Sequence, residues 1–255
     1  MVVLYCVDGK AYLVKKLLML CGLCFALILV GCTTSPTPET PPDVRALLAS
    51  AADILLNADT FQLEINQTGT PYVFTIDIGQ GQIETYLRRV VGQFIAPDEV
   101  YATANVIAGN FPIDLTLYGK ADDQWFNPSG LTWVNAPFAD GFDPRRVVGE
   151  DSGFRKALNS LSDLQYVGIE DFYGVQVYHI KGVGNPEDVS ALLVGMIEFT
   201  VPLPLDVYLR VSDNVPVQMI ITQPETATTE TGDTQWTITV FDINGAKNFT
   251  APTGA

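Results

Sequence analysis

Few residues of this 255-residue chain have the side-chain types that enzymes use for chemistry. All 4 cysteines fall in the first 32 residues, and the chain has one histidine, His179. Neither Ser129-Gly130 nor Ser152-Gly153 stands in the Gly-x-Ser-x-Gly sequence that presents a nucleophilic serine, and no nucleophile lies near His179 in sequence. The chain also lacks the usual cysteine and histidine ligand sets for zinc. The sequence therefore predicts no catalytic residues, no metal and no cofactor.

Three further motifs are better explained by structure than by chemistry. Gly79-Gln80-Gly81 lacks the third glycine of a dinucleotide-binding fingerprint and lies between two predicted strands, so we interpret it as a turn. His179 shares a strand face with Val177, which predicts a packed strand histidine. The acidic pairs Asp122-Asp123 and Glu150-Asp151 fit helix starts and solvated turns better than a calcium site.

One cysteine stands in a context that indicates a chemical modification. The first 16 residues contain three lysines, and the uncharged run that follows, residues 17–30, is shorter than the ~20 residues of a membrane-spanning helix. This run ends at Leu29-Val30-Gly31-Cys32, which resembles the lipobox of bacterial lipoproteins, where the cysteine is acylated. We therefore predict a lipoprotein signal peptide over residues 1–31. Cys32 is the predicted lipid anchor, at the outer face of the bacterial cytoplasmic membrane.

Charge and composition restrict the partners and the domain organisation. The chain has 14 Lys and Arg against 29 Asp and Glu, a net charge of −15, which argues against nucleic acid as a partner. Residues 32–42 are rich in proline and threonine and predict an extended tether of ~30 Å. The remaining residues, 43–255, show no second change in composition, and 47% hydrophobic content is enough for a core, so we predict one domain.

Hydrophobic periodicity predicts the elements of this domain. Apolar residues at helical spacing from Val44 to Ala58 predict a helix that starts with Thr40 as its cap and Asp43 in its first turn. Asp143-Pro144 and Asn185-Pro186 mark two later helical regions. Between and after them, alternating polar and apolar residues predict strands. These strands fall around residues 61–65, 72–78, 83–87, 93–96, 99–106, 112–118, 123–127, 132–135, 164–169, 175–180, 203–211, 215–222 and 235–243.

This element order predicts an α+β fold in which a curved antiparallel sheet, a half-barrel, is covered by helices on its concave face. A wide curved sheet cannot fill its concave side with its own side chains. We therefore expect an apolar cavity between the sheet and the helices.

The same order carries a resemblance to a known family. Its parts are the Cys32 junction, the helix ending near Asn57-Ala58-Asp59, the stretch from Asp143 through Leu158, Leu164, Val167 and Gly174-Val175 to Tyr178, the segment from Asn185 to Met196, and the closing residues 236–244. Together they resemble the LppX/LprA/LprF/LprG lipoproteins. The resemblance implies a carrier of acylated lipids or glycolipids, held at the membrane through acylated Cys32.

The candidate cavity residues are the inward aliphatic and aromatic side chains of the sheet and the late helix. They are Phe74, Ile76, Leu87, Leu115, Leu117, Leu192, Met196, Val207, Leu209 and Ile238. Two alternatives to a lipid carrier stay open at this point. One is a chaperone or interaction module that receives the acyl chains of other lipoproteins, as the similar LolA/LolB proteins do. The other is a hydrolase whose site residues are dispersed along the chain.

Overall fold

The computed structural model describes residues 41–77, 82–128, 130, 132–135, 143–193 and 197–253. The predicted signal peptide, Cys32 and the turn at residues 79–81 lie outside these ranges. The helices of the described part are α1 (Val44–Leu56), a 3-10 helix (Pro144–Arg146), α2 (Gly153–Ser160) and α3 (Pro186–Leu192). Among the described residues, no helix has both the length and the apolar character needed to span a membrane.

Twelve strands form one antiparallel sheet. They are β1 (Thr60–Thr68), β2 (Val73–Asp77), β3 (Gln82–Ile95), β4 (Glu99–Ala108), β5 (Phe111–Lys120), β6 (Asp123–Pro128), β7 (Val134–Asn135), β8 (Ser162–Phe172), β9 (Val175–Gly184), β10 (Leu203–Arg210), β11 (Pro216–Gln223) and β12 (Thr234–Phe241). Their order is β7-β6-β5-β4-β3-β1-β12-β11-β10-β9-β8, and β2 pairs with β3 beside this path. Within the described residues, the two ends of the sheet, β7 and β8, do not pair, so the sheet is not closed into a barrel.

The sheet has one apolar face and one largely polar face, and β1 shows why. Phe61, Leu63 and Ile65 are buried, whereas the residues between them are polar and partly exposed. Because successive side chains of a strand point to opposite sides, this alternation assigns the two faces. Register extends the assignment to the neighbouring strands, since Ile65 lies opposite both Val90 of β3 and Ile238 of β12. We call the side of Phe61 the inner face and the other side the outer face.

The three α-helices pack on the inner face. In α2, Phe154 lies edge-on to Phe61 of β1, with ring centroids 5.9 Å apart. On β9, the inner-face Gly184 lies so close to Val189 of α3 that a Cβ atom there would overlap the Val189 side chain. Helix α1 joins the same core through Leu48, Ala51, Ala52 and Leu55. The antiparallel sheet with its helical cover, predicted from the sequence, is therefore confirmed.

Local signals in the sequence are confirmed at one helix and corrected at two other places. Asn185 caps α3 by accepting a hydrogen bond from the Glu187 N–H. Asp43, rather than Thr40, caps α1, because its carboxylate accepts a hydrogen bond from the Ala46 N–H. The predicted strands at 83–87 and 93–96 are one strand, β3, whose alternation is interrupted by an irregularity in its pairing with β4 between Leu87 and Arg89.

Residues 246–249 lie on the outer face of β3, β4 and β5. Phe249 stacks on Tyr101 of β4, with ring centroids 4.5 Å apart, and Lys247 forms an ion pair with Glu99 at 2.6 Å. Tyr118 of β5 donates a hydrogen bond to Glu99 and is almost fully buried under this segment. Burial is the main cause that raises the pKa of Tyr118, and the Glu99 carboxylate adds to it. Lys247 and Phe249 thus pack against the outer face of these strands.

Candidate functional site

An apolar pocket lies on the inner face, above β1, β3, β4 and β5. Its cavity volume is about 50 Å³, within about 690 Å³ of space that includes open solvent. Its lining consists of Leu63, Ile65, Leu87, Val90, Gly92, Gln93, Phe94, Val100, Ala102, Leu117, Gly119, Val147, Leu193 and Ile197.

Small residues on neighbouring strands create the space in the pocket. Gly92 of β3 lies directly opposite Ala102 of β4, and Gly119 of β5 lies opposite Val100 of β4. A Cβ atom at Gly92 would find its three nearest neighbours in β4, at 3.2 to 3.8 Å, and none in a helix. The space above this part of the sheet is therefore not filled by helical side chains as it is at Gly184.

Two connecting segments form the wall of the pocket that faces the sheet. Val147 directly follows the 3-10 helix, which Asp143 caps by accepting a hydrogen bond from the Arg145 N–H. Leu193 directly follows α3, and Ile197 stands shortly after it. All three side chains are buried, so they form an apolar cover over the small residues of the sheet.

Gln93 is the one polar residue of the lining, and its amide is already bonded on the outer face. Its Nε2 donates to the carbonyl oxygen of Ala246 at 2.9 Å, and its Oε1 accepts from the Asn248 N–H at 3.1 Å. The other lining residues are glycine, alanine, or aliphatic or phenyl side chains. Because such a surface can offer no side-chain hydrogen bond, the pocket suits an apolar ligand and disfavours a polar one.

The predicted cavity residues lie in four different places. Leu87 and Leu117 line the pocket. Leu115 is partly buried and packs against the core. Four residues are in the packed core outside the pocket lining: Leu192, Val207, Leu209 and Ile238. Phe74 and Ile76 belong to β2, but their side chains lie outside the described part, as does Met196.

Several pocket residues do not appear among the sequence predictions. They are Leu63, Ile65, Val90, Gly92, Gln93, Phe94, Val100, Ala102, Gly119, Val147, Leu193 and Ile197. The available signal was the interruption of inward aliphatic positions by small residues, as in Val90, Gly92 and Phe94 of β3. A glycine inside a strand commonly marks a close approach of another group to the backbone.

His179 is held on the outer face by two carboxylates. Its Nδ1 lies 2.7 Å from Glu170 Oε1 of β8, and its Nε2 lies 2.6 Å from Asp206 Oδ1 of β10. The ring also stacks on Tyr208, with centroids 4.5 Å apart. Burial, and then the nearby Asp206 and Glu170 charges, raise the pKa of Tyr208. These contacts join three strands and occupy both ring nitrogens, which is the arrangement of a structural histidine.

In the part of the chain that the structure describes, no three His, Cys, Asp or Glu side chains are placed to hold a metal ion. The two acidic pairs noted in the sequence take part in surface ion pairs. Asp122 contacts Arg145 at 2.6 Å, and Glu150 contacts Arg155 at 3.0 Å. Such exposed pairs contribute little to stability, roughly 0–1 kcal/mol each.

A family model matches most of the chain, and solved structures share its fold. The family model of the LppX_LprAFG lipoproteins matches residues 43–246. The crystal structure of LprF from Mycobacterium bovis aligns with a TM-score of 0.58 at 11% identity, covering 83% of this chain and 98% of that one. Lipoprotein LppX from Mycobacterium tuberculosis aligns with a TM-score of 0.53 at 16% identity, covering 82% and 99%. No curated protein sequence matches the chain.

Proposed function

The chain belongs to the LppX_LprAFG lipoprotein family, and from this premise we propose that it is a membrane-anchored extracytoplasmic carrier of acylated lipids or glycolipids. In this proposal the acyl part of the lipid lies in the apolar pocket, and the protein carries it away from the cytoplasmic membrane. The observation that carries the proposal is the pocket itself, which is open, apolar and floored by small residues.

The chemistry of the pocket favours an acyl chain over other ligands. Each Å² of apolar surface removed from water contributes roughly 25 cal/mol, and a hydrocarbon chain gains this along its whole length. A sugar or phosphate placed there would lose its hydrogen bonds to water without replacement. The polar part of a glycolipid therefore belongs outside the part of the pocket that the structure describes.

In this proposal the anchor and the tether would hold the carrier where such lipids are found. Acylation of Cys32 would hold the chain at the outer face of the cytoplasmic membrane. The proline-rich residues 32–42 would then keep the domain within ~30 Å of that surface. The full chain has a net charge of −15 and therefore little attraction of its own for anionic lipid, so acylation would be the main source of membrane attachment.

Lipid uptake tests the proposal directly. Protein purified from its own membrane and examined by native mass spectrometry should carry acylated lipid, and delipidated protein should regain it from vesicles that contain such lipids. Delipidated protein that takes up none would contradict the proposal. If another lipoprotein co-purifies in place of free lipid, the chaperone alternative applies. Turnover of ester substrates would indicate a hydrolase.

A bulky side chain at position 117 should show whether Leu117 lines a ligand pocket or belongs to a packed core. Leu117→Trp fills open space, so we expect it to reduce lipid uptake at least about tenfold with little change in stability. Uptake is measured by displacement of a fluorescent acyl probe, and stability by thermal unfolding.

The matched control for Leu117→Trp lies in the packed part of the inner face. Leu205 of β10 is almost fully buried and lies outside the pocket lining. Leu205→Trp should therefore destabilise the fold by about 1–3 kcal/mol through overpacking. If Leu117→Trp behaves like this control and leaves lipid uptake intact, the pocket is not the lipid site.

A further inference from the structure

We propose that acyl chains pass between the bilayer and the pocket along one strand, β5, and that Phe111, at the exposed end of this strand, contacts the bilayer. This inference rests on the proposed function and names its membrane-facing surface. We call four side chains of β5 the entry track: Phe111, Ile113, Leu115 and Leu117.

The entry track lies on the inner face and ends in the pocket. Leu117 lines the pocket, and the other members precede it at every second residue of β5. The pairing of β5 with β4 is regular over this stretch, so all four side chains point to the same side of the sheet. Leu117 comes six positions after Phe111, which places the two about 20 Å apart along the strand.

Exposure of the entry track increases with distance from the pocket. Leu117 is 5% exposed, Leu115 and Ile113 are partly buried, and Phe111 is 74% exposed. A single exposed phenylalanine is common on protein surfaces. Phe111 differs because it ends a continuous line of apolar side chains that begins in a pocket. The track therefore connects the pocket to the surface of the protein.

The neighbouring strand keeps this route apolar along its whole length. The residues of β4 directly opposite the four members of the track are Ala108, Val106, Ala104 and Ala102. Three of them are alanines, so β4 contributes short side chains beside the larger ones of β5. A hydrocarbon chain on this route stays in contact with apolar side chains of both strands and meets no group that would need a hydrogen bond.

The hairpin end at Phe111 is uncharged, although the chain as a whole is acidic. Residues 107–113 contain no charged side chain, in a chain with 29 Asp and Glu. The next residue, Asp114, lies on the outer face, where it accepts a hydrogen bond from Asn105 Nδ2 at 2.8 Å. An apolar end without carboxylates can insert between lipid headgroups without charge repulsion.

Charge separates this end from the turn between β8 and β9. Tyr173 in that turn is 93% exposed, more than Phe111. Glu170 and Asp171 closely precede it, however, and the Asp171 carboxylate accepts a hydrogen bond from the Gly174 N–H at 3.0 Å. Carboxylates in this position are repelled by anionic lipid. Exposure alone would favour Tyr173, whereas exposure and charge together favour Phe111.

The predicted anchor and Phe111 have different roles in this inference. Acylated Cys32 would supply the attachment, and the ~30 Å tether would keep a bilayer near the domain without fixing which surface meets it. The apolar end of β5 would select that surface, so that the entry track opens towards the lipid.

Uptake from vesicles, compared with binding from solution, tests the inference on the mature, delipidated protein. The vesicles consist of phosphatidylcholine and phosphatidylglycerol and contain a fluorescent acyl lipid with a quencher, so uptake relieves the quenching. Binding from solution is measured with cis-parinaric acid. Because interfacial binding scales with the apolar area inserted, Phe111→Glu should slow uptake from vesicles at least about tenfold. Its affinity for cis-parinaric acid should stay unchanged, since Phe111 lies outside the pocket lining.

Two further variants serve as controls. Phe111→Trp keeps an aromatic ring suited to the membrane interface and should keep the wild-type rate. Tyr173→Glu makes the same kind of change at the other exposed turn and should leave both rate and affinity unchanged.

Four results would overturn the inference while wild-type uptake leaves the carrier function standing. They are an unchanged rate in Phe111→Glu, a lower affinity of Phe111→Glu for cis-parinaric acid, a slow rate in Phe111→Trp, and equal slowing in Tyr173→Glu. If the wild-type protein takes up probe from neither vesicles nor solution, the proposed function itself fails.

Discussion

Phe61→Ala is expected to lower the free energy of unfolding by about 3–5 kcal/mol. Phe61 is fully buried on β1, at the centre of the sheet. Its ring stacks on Phe94 of β3, with centroids 5.2 Å apart, and contacts Phe154 of α2 edge-on at 5.9 Å. The substitution removes the contact between sheet and helix and leaves a cavity that these rings cannot easily close. Denaturant unfolding followed by circular dichroism measures the change.

The same substitution at an exposed phenylalanine provides the control. Phe111 begins β5 with 74% of its surface exposed. Phe111→Ala should change the free energy of unfolding by no more than about 0.5 kcal/mol. Equal effects at positions 61 and 111 would contradict the assignment of the inner face as the core.

Cys32→Ala is expected to move the protein from the membrane to the soluble fraction, or to leave it as a longer, unprocessed precursor. Acyl chains hold a protein by ~0.8 kcal/mol per buried methylene, and two or more chains are needed for stable attachment. Without the Cys32 thiol, neither acylation nor lipoprotein processing can take place at the predicted junction. Detergent phase partitioning and the mass of the chain measure the outcome.

Cys24 supplies a matched control, because it lies inside the predicted signal peptide and would be removed with it. Cys24→Ala should leave both partitioning and mass of the mature chain unchanged. Unchanged partitioning of Cys32→Ala would refute the predicted anchor. The melting temperature should be the same in both variants, since the described core begins at α1.

The sequence predicts the faces of the sheet well because they depend on local alternation. Phe61, Leu63 and Ile65 are buried where period 2 places them, and Asn185 caps a helix where its side chain can reach the next free N–H. Strand ends are harder to predict. The irregularity between Leu87 and Arg89 breaks the alternation within β3, so one strand resembles two.

Periodicity cannot show which inward residues meet a helix and which meet open space. Leu117 and Val207 have the same pattern in sequence, but Leu117 lines the pocket and Val207 lies in the packed core. The difference depends on the residues opposite and above, such as Ala102 beside Leu117, which come together through long-range pairing. Small residues therefore carry as much information about a pocket as large ones, although hydrophobic patterns give them little weight.

The pairing of β1 with β12 also constrains the order in which the chain can fold. Strands β3 to β6 are consecutive neighbours and can pair as soon as each is available. The contact of Ile65 with Ile238 joins the two ends of the described chain, and such non-local contacts form slowly. Until β12 arrives, one edge of β1 and one edge of β11 are open to pairing with other chains. A chain that ends before Thr234 would keep both edges exposed, so completion of the sheet and protection from aggregation depend on the same C-terminal strand.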